Sequence, residues 1–243
     1  MKPPLTPATL EALRRLDTCS VANAIEGFHV RLRNEGFANA SVRSLFPRLT
    51  PPLLGYAVTV RVRTSSPPIE GGEAYLDRTD WWEHVLSLPA PRVVVTQDVG
   101  SKPGLGACWG EMHAHILRAL GCVGVVTSGA VRDLPAVEAL GFHFFACSVA
   151  VSHAYAHIVD FGGPVEIGGL AIQPGDLLMG DVHGLLSIPR EIAAAIPPAA
   201  AQIAEKERQL IALCETKDVS LEKLRTTLKE IVALKRDHPL PER

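Results

Sequence analysis

Three short apolar runs constrain this chain most: RVVVT at 92–96, CVGVVT at 122–127 and FHFFAC at 142–147. Runs of this kind suit strands buried on both faces, as in a parallel sheet lying between layers. Between the first two, EMHAHILRAL at 111–120 has helical spacing and stops at Gly121, a natural residue to follow a helix end. Between the second and third, the turn Ser128–Asp133 leads into a helix with Pro135 in its first turn and Gly141 at its end. The order is strand, helix, strand, helix, strand. It predicts a parallel sheet with right-handed crossovers and an α/β fold.

The flanking segments have other periods. Upstream, GYAVTVRVRT at 55–64 alternates like a half-buried strand. Leu10, Leu13, Leu16, Val21 and Ile25 predict a helix over 8–26, with Thr6 or Thr9 as its cap. Residues 43–52 and 65–80 read as loops and Trp81–Leu88 as a short helix. After residue 150 come short strands with turns (PVEIGG, LAIQPGD, LLMGD, GLLSIP), more like a barrel or sandwich. All 20 glycines precede residue 185, and fifteen lie in 100–184, so the centre is rich in tight turns. Residues 199–236 predict one or two amphipathic helices, the second striped by Leu221, Leu224, Leu228 and Ile231. The expected organisation is one α/β domain over 1–198 and a C-terminal helical extension over 199–243, packed on the same or a neighbouring subunit.

Charge removes some function classes. Lys+Arg 24 against Asp+Glu 26 gives a net charge of -2 with no basic block, which argues against a nucleic-acid or anionic-membrane partner. No stretch reaches 18 uninterrupted apolar residues, and the N-terminus does not read as a signal peptide. Five cysteines without short repeated spacing point away from a disulfide framework or CxxC zinc site, and a cytoplasmic protein is expected.

The parallel arrangement also locates a candidate site. Loops leaving the carboxyl ends of neighbouring strands share one rim, where ligands bind. One such loop ends in Gly106-Ala-Cys-Trp-Gly-Glu111, and the next is Ser128-Gly-Ala-Val-Arg-Asp133. Glu111 and Asp133 should face each other there, with Arg132 beside them. Two carboxylates and a guanidinium suit a hard divalent cation and an oxygen-rich anionic substrate. The amides of Trp109, Gly110, Glu111 and Met112 open a helix and form an anion site for a substrate carboxylate. Gly104, Gly106 and Gly110 permit the close backbone approach of such a cradle. A first-turn acid and an Arg-Asp neighbour pair also arise for purely structural reasons.

The segment GEM…GCVGVVTSGAVRD, with twenty residues between Glu111 and Arg132, resembles the core of the RraA-like family. That family includes class II 4-hydroxy-4-methyl-2-oxoglutarate/4-carboxy-4-hydroxy-2-oxoadipate aldolases and the regulator of ribonuclease E activity. LDTCSVANAI (16–25), GFHFFA (141–146), GGLAIQPGD (168–176) and GDVHGLLSIP (180–189) are also similar, so the resemblance covers about residues 10–195. Many members have Asp where Glu111 stands and Asp where Asn23 stands. The segment around Trp81-Trp82 and the tail after 199 lie outside the minimal pattern.

The resemblance implies a swivelling β/β/α-type sandwich with added C-terminal helices, assembled as a homotrimer or dimer of trimers with the site between subunits. It implies a Mg²⁺- or Mn²⁺-dependent lyase acting on small 2-oxo acids, by retro-aldol cleavage to pyruvate or oxaloacetate decarboxylation. Asp133 matches the direct metal ligand, Glu111 the acid that holds metal-bound water, and Arg132 the residue on the keto oxygen. The alternative is a non-catalytic regulator that binds a protein partner such as ribonuclease E. A methyltransferase reading lacks the glycine-rich turn after a first strand. Elsewhere, His113 and His115 sit about 200° apart on a helix and do not easily share a metal. His153 and His157 could pair on a helix face. Cys108 reads as a packed residue, and Asp176 and Asp181 as turn residues. Trp81 and Trp82 could cover the cleft or pack at an interface.

Overall fold

A computed structural model describes residues 3–68, 79–216 and 219–234; Gly71-Gly72, assigned to a loop above, lies outside them. The chain forms two compact units, one of Gly36–Ser187 and one of Leu5–Glu35 with Ile188–Arg243.

The second unit is helical. The helix expected over 8–26 is two helices, α1 (Pro7–Arg14) and α2 (Thr18–Gly27). Thr6 caps the first, and Asp17 starts the second by accepting from the Ser20 amide at 2.7 Å. The C-terminal helices belong to the same unit and are given below in chain order.

The first unit is built on a nine-stranded sheet. Its elements are β1 (Arg43–Ser44), β2 (Leu53–Arg63), α3 (Asp80–Ser87), β3 (Arg92–Asp98), β4 (Ala107–Trp109), α4 (Glu111–Ala119), β5 (Cys122–Val131), α5 (Leu134–Ala139) and β6 (His143–Val149), followed by β7 (His157–Phe161), β8 (Val165–Ile167), β9 (Leu170–Ile172), β10 (Leu177–Asp181) and β11 (Gly184–Ile188). The helical unit adds α6 (Ile196–Glu215) and α7 (Leu221–Leu234). Sheet order is β1-β6-β5-β3-β2-β10-β11, with β4 beside β5 and β7 beside β2. The four central strands β2, β3, β5 and β6 are parallel; the apolar runs predict this for β3, β5 and β6, while β2, which alternation predicts as half-buried, is buried along most of its length. Strand β2 is long enough to serve two antiparallel partners. Leu53–Tyr56 side pairs with β10, and Val60–Arg63 with β7.

Alternation along these strands divides the core into two layers. Val58, Val60, Val62, Val94, Val125 and Phe144 face a layer completed by Trp81 and Val85 of α3, Ala114 and Leu117 of α4, and Val137 of α5. Leu53, Val93, Val95, Val126 and Phe145 face the other, which the β8–β9 hairpin closes with Val165, Ile167, Leu170 and Ile172. Helices, sheet and a small β layer are thus stacked in that order, the β/β/α sandwich expected. Trp81 belongs to this core and neither covers a cleft nor faces solvent; its ring lies 6.2 Å from that of Trp109.

One difference falls next to the candidate site. Strand β5 does not stop at Thr127 but continues to Val131, with a register shift between Thr127 and Ala130. The extension exists because β4, read from sequence as loop, pairs with it through Ala107↔Ala130 and Trp109↔Val131. The strand therefore carries the chain up to Arg132 itself.

Candidate active site

The rim where β3, β5 and β6 end is organised first by Asp98. This carboxylate at the end of β3 is 5% exposed. It accepts from the Thr64 hydroxyl at 2.9 Å and from the amides of Gly100 at 3.0 Å and Gly104 at 2.9 Å. Three donors compensate a charge that burial would otherwise make costly. The glycine-rich loop expected to cradle a substrate anion is thus wrapped around an anion of its own chain. Sequence reasoning missed Asp98. The signal available was an acid at a strand end followed by glycines two and six residues later.

Asp133 meets the backbone of Glu111 and the guanidinium of Arg132. Gly110 is the N-cap of α4, in extended backbone and with no side-chain cap of its own. Asp133 supplies the missing acceptor from the next loop: its Oδ2 accepts from the Glu111 amide at 3.0 Å. A carboxylate at the positive end of a helix is favoured by the helix dipole. Arg132 Nε donates to Asp133 Oδ1 at 3.3 Å, and Arg132 Nη1 to the Val151 carbonyl at 3.3 Å. Arg132 and Asp133 are half-buried, and Glu111 is exposed. Asp133 has φ 60°, a left-handed conformation that aspartate adopts more readily than most side chains.

Two of the predicted glycine approaches are also internal. A Cβ at Gly110 would collide with Asp133 Oδ2 and lie 3.0 Å from Arg132 Cγ. One at Gly106 would collide with the carbonyl of His153. Of the amides expected to receive a substrate carboxylate, that of Glu111 is engaged by Asp133. The indole of Trp109 is buried, its Nε1 donating to Thr96 Oγ1 at 2.9 Å. Met112 is exposed at the rim, with Leu105, Val149, Val151 and Tyr155 also exposed on the loops around it.

The histidines separate by environment. His113 is buried against Trp109, ring centroids 5.7 Å apart in an edge-on arrangement. Burial first, then the neighbouring His153 and Arg132, push its pKa down to about 4, against the opposing pull of Asp133. It is a neutral wall residue. His153 and His157 do not share a helix face: the first lies in the loop before β7 and the second begins that strand. His153 Nδ1 lies 2.6 Å from the Ala107 carbonyl, and His157 Nδ1 2.7 Å from that of Tyr155. Cys108 is buried, the packed residue expected, and burial pushes its thiol above the usual range. Asp176 and Asp181 are turn residues, accepting from the amides of Gln173 and His183 at 2.8 Å each. Among the described residues there is no group of three or more His, Cys, Asp or Glu placed to hold a metal. No described helix is long and apolar enough to cross a membrane.

The model of the RraA-like family (Aldolase/RraA) matches residues 18–186. The chain is 29% identical over 134 residues to an uncharacterised protein of Methanocaldococcus jannaschii, covering 54% of this chain and 64% of that one. It is 34% identical over 82 residues to a protein of Halalkalibacterium halodurans provisionally named 4-hydroxy-4-methyl-2-oxoglutarate aldolase, covering 33% of this chain and 39% of that one. Each match thus spans less than two thirds of the relative. A crystal structure of an uncharacterised Pseudomonas syringae pv. tomato protein superposes with TM-score 0.71 at 24% identity, covering 93% of this chain and 97% of that one. That of Streptomyces coelicolor RraAS2, described as an unusual member of the RNase ES inhibitor RraA protein family, gives 0.67 at 22%, covering 86% and 98%. At these identities the likeness to solved structures speaks for the fold.

Proposed function

The chain belongs to the RraA-like family, which includes both aldolases and regulators, and from that premise we propose that it is a divalent-metal-dependent carbon–carbon lyase of small 2-oxo acids. Its reactions are retro-aldol cleavage of 4-hydroxy-4-methyl-2-oxoglutarate-like substrates to pyruvate and decarboxylation of oxaloacetate. The observation that carries the reading is Asp133 held between the Glu111 amide and the Arg132 guanidinium at the start of the helix that Glu111 opens. A purely structural cap would need only the carboxylate, and the chain adds a guanidinium beside it and an acid at the first helical position.

The donor set fits Mg²⁺ or Mn²⁺. It is oxygen-only, and such ions need one or two carboxylates because they keep several waters. The absent side chain at Gly110 gives Asp133 Oδ2 the room it occupies against the helix start. Asp133 would hold the ion directly and Glu111 through a water. When bound, the ion supplies Lewis-acid stabilisation of developing negative charge. Arg132, held in place by the Val151 carbonyl, faces the substrate's keto oxygen and favours the enolate that forms as the carbon–carbon bond breaks. The substrate carboxylate is received at the start of α4, by the backbone between Trp109 and Met112 beside the amide that Asp133 engages. The exposed apolar side chains Leu105, Met112, Val149, Val151 and Tyr155 support assembly into a trimer or dimer of trimers that covers this rim.

The test is pyruvate release from oxaloacetate with Mg²⁺, followed through lactate dehydrogenase. Asp133→Asn suits the left-handed backbone, and it is expected to lower the rate by on the order of 10²–10³. Full metal-dependent release by that variant would sink the assignment. No release by the wild type, with tight binding to a protein such as ribonuclease E, would favour the regulator instead.

A further inference from the structure

Retro-aldol cleavage needs a group that takes a proton from the substrate's C4 hydroxyl, and neither Arg132 nor the capping carboxylate Asp133 is suited to it. A guanidinium has no lone pair to offer, and the carboxylates of Asp133 and Glu111 are assigned to the metal and its water. Two imidazoles belong to this rim: His113, which feels the charges of Arg132, Asp133 and His153, and His153, in the segment whose Val151 carbonyl holds Arg132. His113 is buried against Trp109. His153 is exposed.

The orientation of His153 is built rather than incidental. Its Nδ1 lies 2.6 Å from the Ala107 carbonyl. A carbonyl only accepts, so Nδ1 carries the proton and Nε2 is left with its lone pair. The backbone on each side is tied down. The Ala107 amide donates to the Ser152 carbonyl at 2.8 Å, and the Tyr155 amide to the Thr64 carbonyl at 3.2 Å. Between them Ala154 takes a left-handed φ of 48°, with its amide on Ser152 Oγ at 3.0 Å. Only a glycine at 106 leaves room for the His153 carbonyl. Arg132 is fastened to the same strap through Val151, two residues before His153. One short segment therefore fixes both the guanidinium and the imidazole. A non-glycine residue in left-handed backbone is a local cost of the kind found where geometry is functional.

We propose that His153 is the acid–base residue of this site, taking the C4 hydroxyl proton of a 4-hydroxy-2-oxo acid on Nε2. This rests on the lyase reading above. As the proton moves to Nε2, the O–H electron pair becomes the new C4 carbonyl and the C3–C4 bond breaks. Its electron pair becomes the C2–C3 double bond, and the keto π pair moves to the oxygen facing Arg132. The imidazolium then returns its proton to C3, giving pyruvate and regenerating neutral His153, so no proton is gained or lost. Oxaloacetate has no C4 hydroxyl: carbon dioxide leaves directly, and water can supply the proton to C3. The two reactions therefore differ in their need for His153.

The test is His153→Asn, whose side-chain amide replaces Nδ1–H as donor to Ala107 and removes Nε2. Retro-aldol kcat is expected to fall by about 10²–10⁴-fold while oxaloacetate decarboxylation and the melting temperature stay near wild type. A wild-type retro-aldol rate overturns the role, as does an equal loss of both activities, which would mark His153 as a strap pin. Nitrogen-15 NMR of the wild type reads the tautomer without any assay, and a proton found on Nε2 at neutral pH overturns the proposal. A wild type inactive on both substrates removes the lyase reading and this role with it. Activity unaffected by His153→Asn removes the role alone.

Discussion

Gly110→Ala is the sharpest single probe of the site. The backbone there is extended, so alanine adds no conformational strain. What it adds is a methyl group aimed at Asp133 Oδ2, 3.0 Å from Arg132 Cγ and 3.3 Å from Asp133 Cγ. Restoring normal contact requires the carboxylate to retreat by about 1 Å, and a misplacement of that size costs roughly 10²-fold in rate. The retreat also stretches the 3.0 Å bond from the Glu111 amide. A hydrogen bond to a charged group contributes about 1.5–3 kcal/mol, which bounds the loss of stability. Gly163→Ala is the control, since nothing lies within 4 Å of its added methyl. Urea unfolding and coupled pyruvate release of both variants form the assay. Wild-type rate and stability in Gly110→Ala would refute the claim that this contact positions Asp133.

Two further predictions come from buried groups. Asp98→Asn places an amide where three donors converge, and it is expected to cost about 2–4 kcal/mol in urea unfolding and to expose residues 100–106 to proteolysis; an unchanged midpoint would remove Asp98 as the loop's organiser. His143 is buried, which pushes its pKa down to about 4 despite the Pro51 carbonyl that its Nε2 meets at 3.1 Å. The unfolded chain therefore binds this proton first. Its stabilising effect is complete above pH about 6.5 and declines toward pH about 4 by up to about 1.4 kcal/mol per pH unit, so His143→Gln should flatten the acid limb by about one proton. Identical acid limbs in the two proteins would contradict this.

The central β-α-β-α-β run was legible because strands buried on both faces leave an unbroken apolar signature. The break between α1 and α2 was not, because Leu13, Leu16 and Val21 keep helical spacing across it. Only the Asp17 cap marks the restart. The extension of β5 was hidden for another reason. Ser128, Gly129 and Ala130 have no strand propensity to speak of, and they are recruited by pairing with β4, a contact distant in sequence. At the site, residue types and rim placement were readable for Glu111, Arg132 and Asp133. Their hydrogen bonds were not, since whether an amide faces a ligand or a neighbouring carboxylate depends on the fold of both loops. The spacing of four between His153 and His157, which allows a helix-face pair but lacks an HExxH frame, carries no meaning in a loop entering a strand.

The carboxylates of Asp98 and Asp133 occupy the amides that a free anion would seek. Each is tethered to the chain, so its local concentration at those amides far exceeds that of any buffer anion. Chloride, sulfate or phosphate must displace a resident competitor, and simple anions should inhibit poorly through this loop. Effective inhibitors are instead expected to be rigid chelating dianions such as oxalate, which address a metal held at Asp133 together with Arg132. The selectivity of such a site begins with the anions it already contains.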